Sequence, residues 1–356
     1  MPVDPSKLND IIAASKKRFH TELIHNGDVT PPVYRIPFDS IELNLATYGG
    51  APMGRMIRLW GGFSSGKTLN AWGLAKQAQQ HRSERFPDGL VVAYYNIEGT
   101  YDPIFTRDMM GVDIEKLVVV EGTIIEDIST QLDALLHAAH IHIIDSTSAA
   151  QSSHLFTATK ESRQPGLDAV AWKNALRSAE ENMDKQENMV VLIQQVSTDF
   201  KTGADKPQGA KMVGHANAMS LAHRKATKLY RTADGGWTNT RPKIGNDELT
   251  GTHKVDGYEI EIEVDKSKVC RPFGKARLRL DLNTIQYDKM FELKKAGLFL
   301  GAITQSGAFY RVSTMKEKDK ALQGNTALEK RLADDSALVM DIYQRAAQYC
   351  KDSVYA

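Results

Sequence analysis

Between residues 36 and 193 short apolar runs alternate with stretches whose apolar residues recur every three or four positions. The runs at 56–60, 90–95, 117–120, 141–144 and 189–193 are apolar at nearly every position, as in strands covered on both faces. The stretches at 68–81, 124–140 and 168–186 carry the helical spacing. Strand and helix in alternation predict an α/β fold with a mostly parallel central sheet. Farther on, 258–264 and 276–282 alternate strictly between apolar and polar residues, so the sheet is expected to gain strands with one wet face.

Two appendages flank this pattern. Leu8, Ile11, Ile12 and Phe19 follow helical spacing after Asp4-Pro5, a cap and first-turn pair, and Asn26-Gly27-Asp28 and Pro31-Pro32 then break the chain. Residues 1–35 therefore read as a helical arm, either folded back on its own domain or packed on a neighbouring subunit. Residues 36–287 form the core, and 288–356 a small α+β C-terminal domain.

Composition narrows the class. Hydrophobic residues at 42% and charged residues at 25% exclude wholesale disorder, a collagen-like fibre and a disulfide scaffold. The two cysteines, Cys270 and Cys350, lack the spacing of a zinc site, and a reducing cytoplasm is the expected compartment. No run approaches eighteen apolar residues, and Met1-Pro2-Val3-Asp4 lacks the order of a signal peptide. The net charge of +1 means that any nucleic-acid site must show as a local cluster of Lys and Arg.

The most specific motif is Gly61-Gly62-Phe63-Ser64-Ser65-Gly66-Lys67-Thr68, with Leu69 following, between a predicted strand and a predicted helix. In such a loop the glycines turn backbone N–H groups toward phosphate oxygens and the helix N-terminus adds positive potential. Lys67 then meets the β/γ-phosphates and the Thr68 hydroxyl ligates Mg²⁺. ATP with Mg²⁺ is the expected cofactor. A second metal acid is expected at the end of a neighbouring buried strand, and Asp145 closes Ile141-His142-Ile143-Ile144-Asp145, where it would hold Mg²⁺ through water. Glu98, after Tyr94-Tyr95-Asn96-Ile97, stands where a base could orient an attacking water.

These residues also carry a resemblance. Ser64-Ser65-Gly66-Lys67-Thr68, Glu98-Gly99-Thr100-Tyr101-Asp102-Pro103 and Ile144-Asp145-Ser146 look like bacterial RecA and its phage-encoded relatives, the ATP-dependent strand-exchange recombinases. The likeness takes in Leu45 through Arg55 before the loop, Val112-Asp113-Ile114, Lys266-Ser267-Lys268 before Pro272-Phe273, and Gly307-Ala308-Phe309-Tyr310. It implies a RecA-type P-loop ATPase core, with Glu98 as catalytic glutamate and Asp102 and Phe105 on the adenine. Gln195 would sense the γ-phosphate and pass the state to a DNA-binding loop. Lys266 and Lys268 would reach the neighbouring subunit's phosphates, and the N-terminal arm would pack on that neighbour.

For DNA, the resemblance points to a first loop with Lys160, Arg163, Gln164 and Gly166, to Arg177 on the helix beyond, and to a second loop over 196–213. From Asp199 to Arg231 the chain carries Lys201, Lys206, Lys211, Arg224, Lys225, Lys228 and Arg231 against Asp199 and Asp205, or seven minus two, +5. Such a segment beside a nucleotide sensor suits a phosphate backbone; a solvated loop followed by an edge strand is the plainer reading. Phe200, five residues after Gln195, stands where the family places an apolar side chain against the bases.

The sequence departs from the bacterial pattern at Gly62-Phe63, where those proteins have a Pro and an acid, and in the second loop. It ends Tyr355-Ala356 without an acidic tail. These differences favour a phage-type member. The expected activity is DNA-dependent ATP hydrolysis by a filament on single-stranded DNA that pairs and exchanges homologous duplex. A ring-forming helicase or other motor of the same fold, and a nucleotide-regulated binding switch, are the alternatives.

Overall fold

A computed structural model of the chain describes residues 10, 13–14, 17, 32–154, 166–183, 187–198, 205–207, 211–232, 235–240 and 255–354. The chain divides into two compact units, Met1–Tyr34 and Arg35–Ala356. Within the first, Asp10, Ala13, Ala14 and Lys17 are helical, while Leu8, Ile11, Ile12 and Phe19 lie outside the described residues.

The second unit begins with β1 (Arg35–Ile36), α1 (Ile41–Ala46) and β2 (Ala51–Pro52). Ser40 caps α1, its hydroxyl accepting the Leu43 N–H at 3.1 Å. Next come β3 (Arg55–Gly61), α2 (Lys67–Gln80), β4 (Val92–Asn96), β5 (Leu117–Glu121), α3 (Ile125–Leu135), β6 (Ile141–Asp145), α4 (Leu167–Asn182) and β7 (Met189–Thr198). Then β8 (Asp205–Pro207), α5 (Lys211–Ala216), β9 (Met219–Arg231), β10 (Trp237–Thr238), β11 (Gly257–Ser267), β12 (Lys275–Asp281) and β13 (Gln286–Tyr287) complete the large sheet.

Its strand order is β13-β12-β11-β9-β3-β7-β6-β4-β5, with β8 on β7 and β10 on β9. From β5 to β9 every pairing along that order is parallel. From β9 to β13 the pairings are antiparallel. The division follows the hydrophobic pattern. Strands β4 and β6 are buried at all five positions, whereas β11 and β12 alternate. The basic strand β9 is not an edge: it lies between β3 and β11.

On one face, Ile128 and Leu132 of α3 and Trp172 and Leu176 of α4 pack on Tyr95, Ile144, Val190 and Leu192. Trp172 is 2% exposed and its indole N–H donates to the Thr147 carbonyl at 3.1 Å. Replacing it by Ala would cost about 3–5 kcal/mol through the cavity left behind. Helix α3 ends at Leu135, five residues before the periodicity read from sequence, and Asn188 Nδ2 takes the carbonyls of Leu136 (2.8 Å) and Ala139 (3.0 Å) that a continuing helix would use.

The chain ends in α6 (Lys289–Phe299), β14 (Ile303–Ser306), β15 (Phe309–Val312), β16 (Leu322–Gln323), α7 (Gly324–Asp334) and α8 (Ser336–Val354). Leu293, Tyr310, Leu328 and Ile342 form its own core, and Ile41 and Leu45 of α1 join that core. α1 thus ties this C-terminal module to the large sheet. No described helix is long and apolar enough to cross a membrane.

Candidate nucleotide site

The loop between β3 and α2 sits at the C-terminal ends of β3, β6 and β4. Gly61 has φ +156°, and a Cβ there would lie 2.1 Å from the His223 carbonyl oxygen. Gly66 has φ +83°, and its Cβ would fall 2.8 Å from Ile260 Cδ1. Gly66 also N-caps α2 without a side-chain hydrogen bond, so no side chain competes for the first N–H groups of this 14-residue helix. Ser65 is 1% exposed and its hydroxyl has no partner. A phosphate oxygen would satisfy these donors.

Lys67 is 8% exposed, and its ammonium donates to the carbonyls of Gly61 (2.9 Å) and Gly62 (2.8 Å). Burial pushes its pKa down, opposed by the charges of Asp145 and Glu98. A triphosphate offers this cation stronger acceptors than two neutral carbonyls. Ser64 and Leu69 flank it, and Phe63 projects into solvent, 77% exposed.

Thr68 Oγ1 donates to Asp145 Oδ2 at 2.8 Å, and the Tyr94 hydroxyl donates to the same oxygen at 3.1 Å. Asp145 is 3% exposed; burial raises its pKa, with the Glu98 charge adding to the rise and Thr68, Tyr94 and Lys67 opposing it. A hydroxyl and a carboxylate oxygen brought together at a helix start form a hard-oxygen pair that suits Mg²⁺. Burial of that carboxylate beside a second acid leaves a deficit of positive charge that a dication would fill.

Glu98 follows β4, exposed at the same edge. Its Oε1 accepts from the Ser146 hydroxyl and from Gln195 Nε2, the latter at 2.7 Å. Gln195 is held in turn by its own N–H donating to Ser148 Oγ at 3.0 Å. β7 continues past Gln195 into the hairpin with β8, where Val196 faces Pro207 and Thr198 faces Asp205. The carboxylate and the start of that hairpin are therefore one hydrogen bond apart.

Asp102 Oδ1 accepts the N–H groups of Ile104 (2.8 Å) and Phe105 (3.0 Å) and so shapes the turn that presents Phe105. That turn is anchored on Asn96 Oδ1, which accepts from Thr100 and Tyr101 N–H.

The lysines sit elsewhere. Lys266 pairs with Ser220 and Ser220 with Arg58, while the Lys268 N–H donates to the Ala218 carbonyl and the Ala218 N–H to that of Met56. They are thus level with positions three and five residues before Gly61, about 10 and about 17 Å back along the strand direction, and two strands to the side. The Lys266 ammonium donates to Gly214 (2.8 Å) and Asn217 (3.0 Å) carbonyls of its own chain. Neither lysine can serve its own phosphate loop.

Of the candidate DNA residues, Gly166 N-caps α4 at φ +93° and Arg177 is exposed on α4, paired with Glu181 at 2.9 Å. Arg177 and Lys268 line one cleft of about 490 Å³ with Lys173 and His215. Lys160, Arg163, Gln164, Phe200 and Lys201 lie outside the described residues, as do the side chains of Lys206 on β8, Lys211 on α5 and Lys225 on β9. Part of the +5 segment charge is spent inside the sheet: Arg224 pairs with Glu263 at 3.4 Å and Arg231 with Asp281 at 2.6 Å.

Sequence reasoning did not assign Tyr94, Ser146 and Ser148, which hold the two acids and Gln195. It also passed over His223, whose Nε2 lies 3.1 Å from Asn70 Nδ2 beneath the loop. Burial pushes the His223 pKa down to about 3. Ser146 stood inside a quoted motif; His223 had no local signal, because only the pairing of β3 with β9 brings it opposite Gly61.

Residues 7–285 match the RecA N-terminal domain family. The chain belongs to the RecA family. It is 26% identical over 328 residues to Protein RecA of Thermotoga neapolitana, covering 90% of this chain and 85% of that protein. It is 28% identical over 309 residues to Protein RecA of Fusobacterium nucleatum, covering 85% and 75%. Protein RecA of Chlorobium limicola is 25% identical over 353 residues, covering 96% and 91%. RecA-family membership makes the chain a nucleotide-binding, ATPase-type protein of the recombinase family, in agreement with the α/β sheet and the loop.

Proposed function

We propose that the chain is a DNA-dependent ATPase that assembles on single-stranded DNA into a helical filament and catalyses homologous pairing and strand exchange with duplex DNA. The observation that carries this reading is the link from Glu98 through Gln195 to the β7–β8 hairpin. A group that both orients water and bonds to the base of a loop over 196–213 couples nucleotide state to what that loop binds.

In this reading the loop N–H groups, Ser65 and Lys67 grip the triphosphate, and Glu98 aligns a water for attack on the γ-phosphorus. The departing phosphate frees Gln195 to return to Glu98. Thr68 and Asp145 would hold Mg²⁺, which supplies charge neutralisation on the phosphate oxygens when bound. Asp102 and Phe105 would receive the adenine. Lys266 and Lys268, out of reach of their own loop, would complete the site of the next subunit, stabilising the charge that develops there. Arg163, Gln164, Gly166, Arg177, Phe200, Lys201, Lys206 and Lys211 would contact DNA. The departures at Gly62 and Phe63 support a phage-type member.

Electron microscopy with a non-hydrolysable ATP analogue and single-stranded DNA tests this reading. Helical filaments are expected. Closed rings would assign the chain to the helicase-type motors, since a head-to-tail interface closes into a ring or runs on as a helix according to its rotation. Dispersed particles would leave a nucleotide-binding switch.

A further inference from the structure

Phe63 and Phe273 are the two most exposed large apolar side chains among the described residues, at 77% and 69%. Neither covers the other, yet each stands beside one half of the proposed shared site. Phe63 lies within the phosphate loop, three residues before Gly66. Phe273 lies on the turn from β11 to β12, its N–H donating to the Val264 carbonyl at 2.7 Å, two residues from Lys266. Its φ of +69° is a costly conformation for a bulky residue, and the turn holds it there with the ring in solvent. Gly274 beside it cannot take a side chain, because a Cβ would lie 2.8 Å from the Ala46 carbonyl oxygen.

Phe273 also stands at the mouth of a cavity of about 550 Å³ that includes Tyr48, Phe299 and Tyr349. Phe299 and Tyr349 meet edge to face at 5.2 Å between ring centroids, so the wall is aromatic. The rim carries more positive than negative charge, with Arg271, Lys275 and Lys295 against Glu42. Lys275 and Lys295 are paired to Glu261 and Glu42, whereas Arg271 meets no described carboxylate in an ion pair. The strand ends beside Phe63 have the opposite character: Asp145 accepts from Thr68 and Glu98 from Gln195, the residue level with Gly61, and a bound triphosphate would add to their charge. An exposed apolar anchor amid negative charge and an aromatic groove rimmed by positive charge are complementary surfaces of one chain. Complementary but different surfaces make a head-to-tail contact.

We propose that Phe63 of one copy seats against Phe273 at the mouth of this groove in the next copy, as the apolar anchor of the interface that brings Lys266 and Lys268 to the phosphate loop. This rests on the shared-site reading above and adds to it the pair of residues that fixes the register. Without an anchor, two flexible lysines would find the loop only by charge. With it, the turn that carries them is held in place, and the ring at position 63, where bacterial relatives carry an acid, becomes buried.

Disulfide trapping tests the pair. In a Cys270→Ser, Cys350→Ser background, Phe63→Cys and Phe273→Cys are made singly and together, then oxidised with an ATP analogue and single-stranded DNA. The double variant is expected to give a ladder of covalent multimers, and a mixture of the two single variants to give dimers only. Each single variant alone should stay monomeric under denaturing conditions. Microscopy of the wild-type chain runs in parallel. Wild-type filaments without a ladder would overturn the Phe63–Phe273 contact while leaving the filament reading intact. Dimers from Phe63→Cys alone would overturn the head-to-tail arrangement, and no assembly of the wild-type chain would overturn both. As a second readout, Phe273→Ser should raise the protein concentration at half-maximal ATPase rate about tenfold or more, since a lost aromatic contact weakens association by at least that factor. An unchanged concentration dependence in that variant would overturn the anchor.

Discussion

Glu292 is buried where α6 meets α1, with neither carboxylate oxygen in a well-formed hydrogen bond. Burial pushes its pKa up from 4.5 to about 7; Glu42 and Asp39 add to the push, while Lys289 and the Ser40 hydroxyl ease it. The folded chain therefore binds a proton here more tightly than the unfolded chain. The associated stability is complete below pH 4.5 and is lost as pH rises through about 7. Two and a half pH units at 1.36 kcal/mol each amount to about 3 kcal/mol. Glu292→Gln keeps the shape and abolishes the titration. Any cost of an unpartnered amide is the same at every pH, so the change in slope is the readout rather than the level. Urea unfolding of the full chain and the variant between pH 4.5 and 8 makes the comparison. The wild type should lose about 3 kcal/mol relative to the variant across that range. His142 and His223, whose pKa values burial depresses to about 4 and about 3, lose stability as pH falls below 6.5, but they do so in both proteins and cancel. Parallel pH profiles for wild type and Glu292→Gln would refute the reasoning and mean that the carboxylate finds a partner.

Three further outcomes are expected. Lys67→Ala should abolish tight nucleotide binding, whereas Glu98→Gln should bind ATP and lose turnover by about 10²- to 10⁴-fold; equal loss of binding in both, by fluorescent-nucleotide titration, would remove Glu98 from its role. ATPase rate per protomer should rise with protein concentration or with DNA-templated assembly, because Lys266 and Lys268 sit beyond reach of their own loop; a constant specific rate in a sedimenting monomer would show the site to be complete in one chain. Phe200→Ala should weaken single-stranded DNA binding by about 1–3 kcal/mol with the salt dependence preserved, while a double alanine variant at Lys201 and Lys206 should flatten it. Wild-type affinity and slope in both would place the DNA site elsewhere.

Much of the ATPase core was legible in the linear chain because its determinants are local. A buried strand shows as a continuous apolar run, a half-wet strand as alternation, and a phosphate loop as eight consecutive residues whose backbone does the binding. Hence β3, α2 and β6 needed no tertiary information. Helix α3 was read too long because Asn188, 52 and 49 residues beyond Leu136 and Ala139, takes the carbonyls that the local periodicity assigned to a longer helix. The basic run 199–231 looked like surface on charge alone. In the fold it includes a central strand whose arginines pair across to β11 and β12, and pairing is a property of register rather than composition.

The division is sharpest at the site. Sequence by itself singled out the candidates for gripping phosphate, binding metal and orienting water. Only the tertiary structure brought Ser146 and Gln195 onto Glu98, set Tyr94 on Asp145, and placed His223 under the loop, because these contacts join strand ends that are neighbours in space and dozens of residues apart in the chain. It alone also showed that Lys266 and Lys268 lie back along the sheet from their own loop. Strand direction and register decide that separation, and neither is written in the order of the residues.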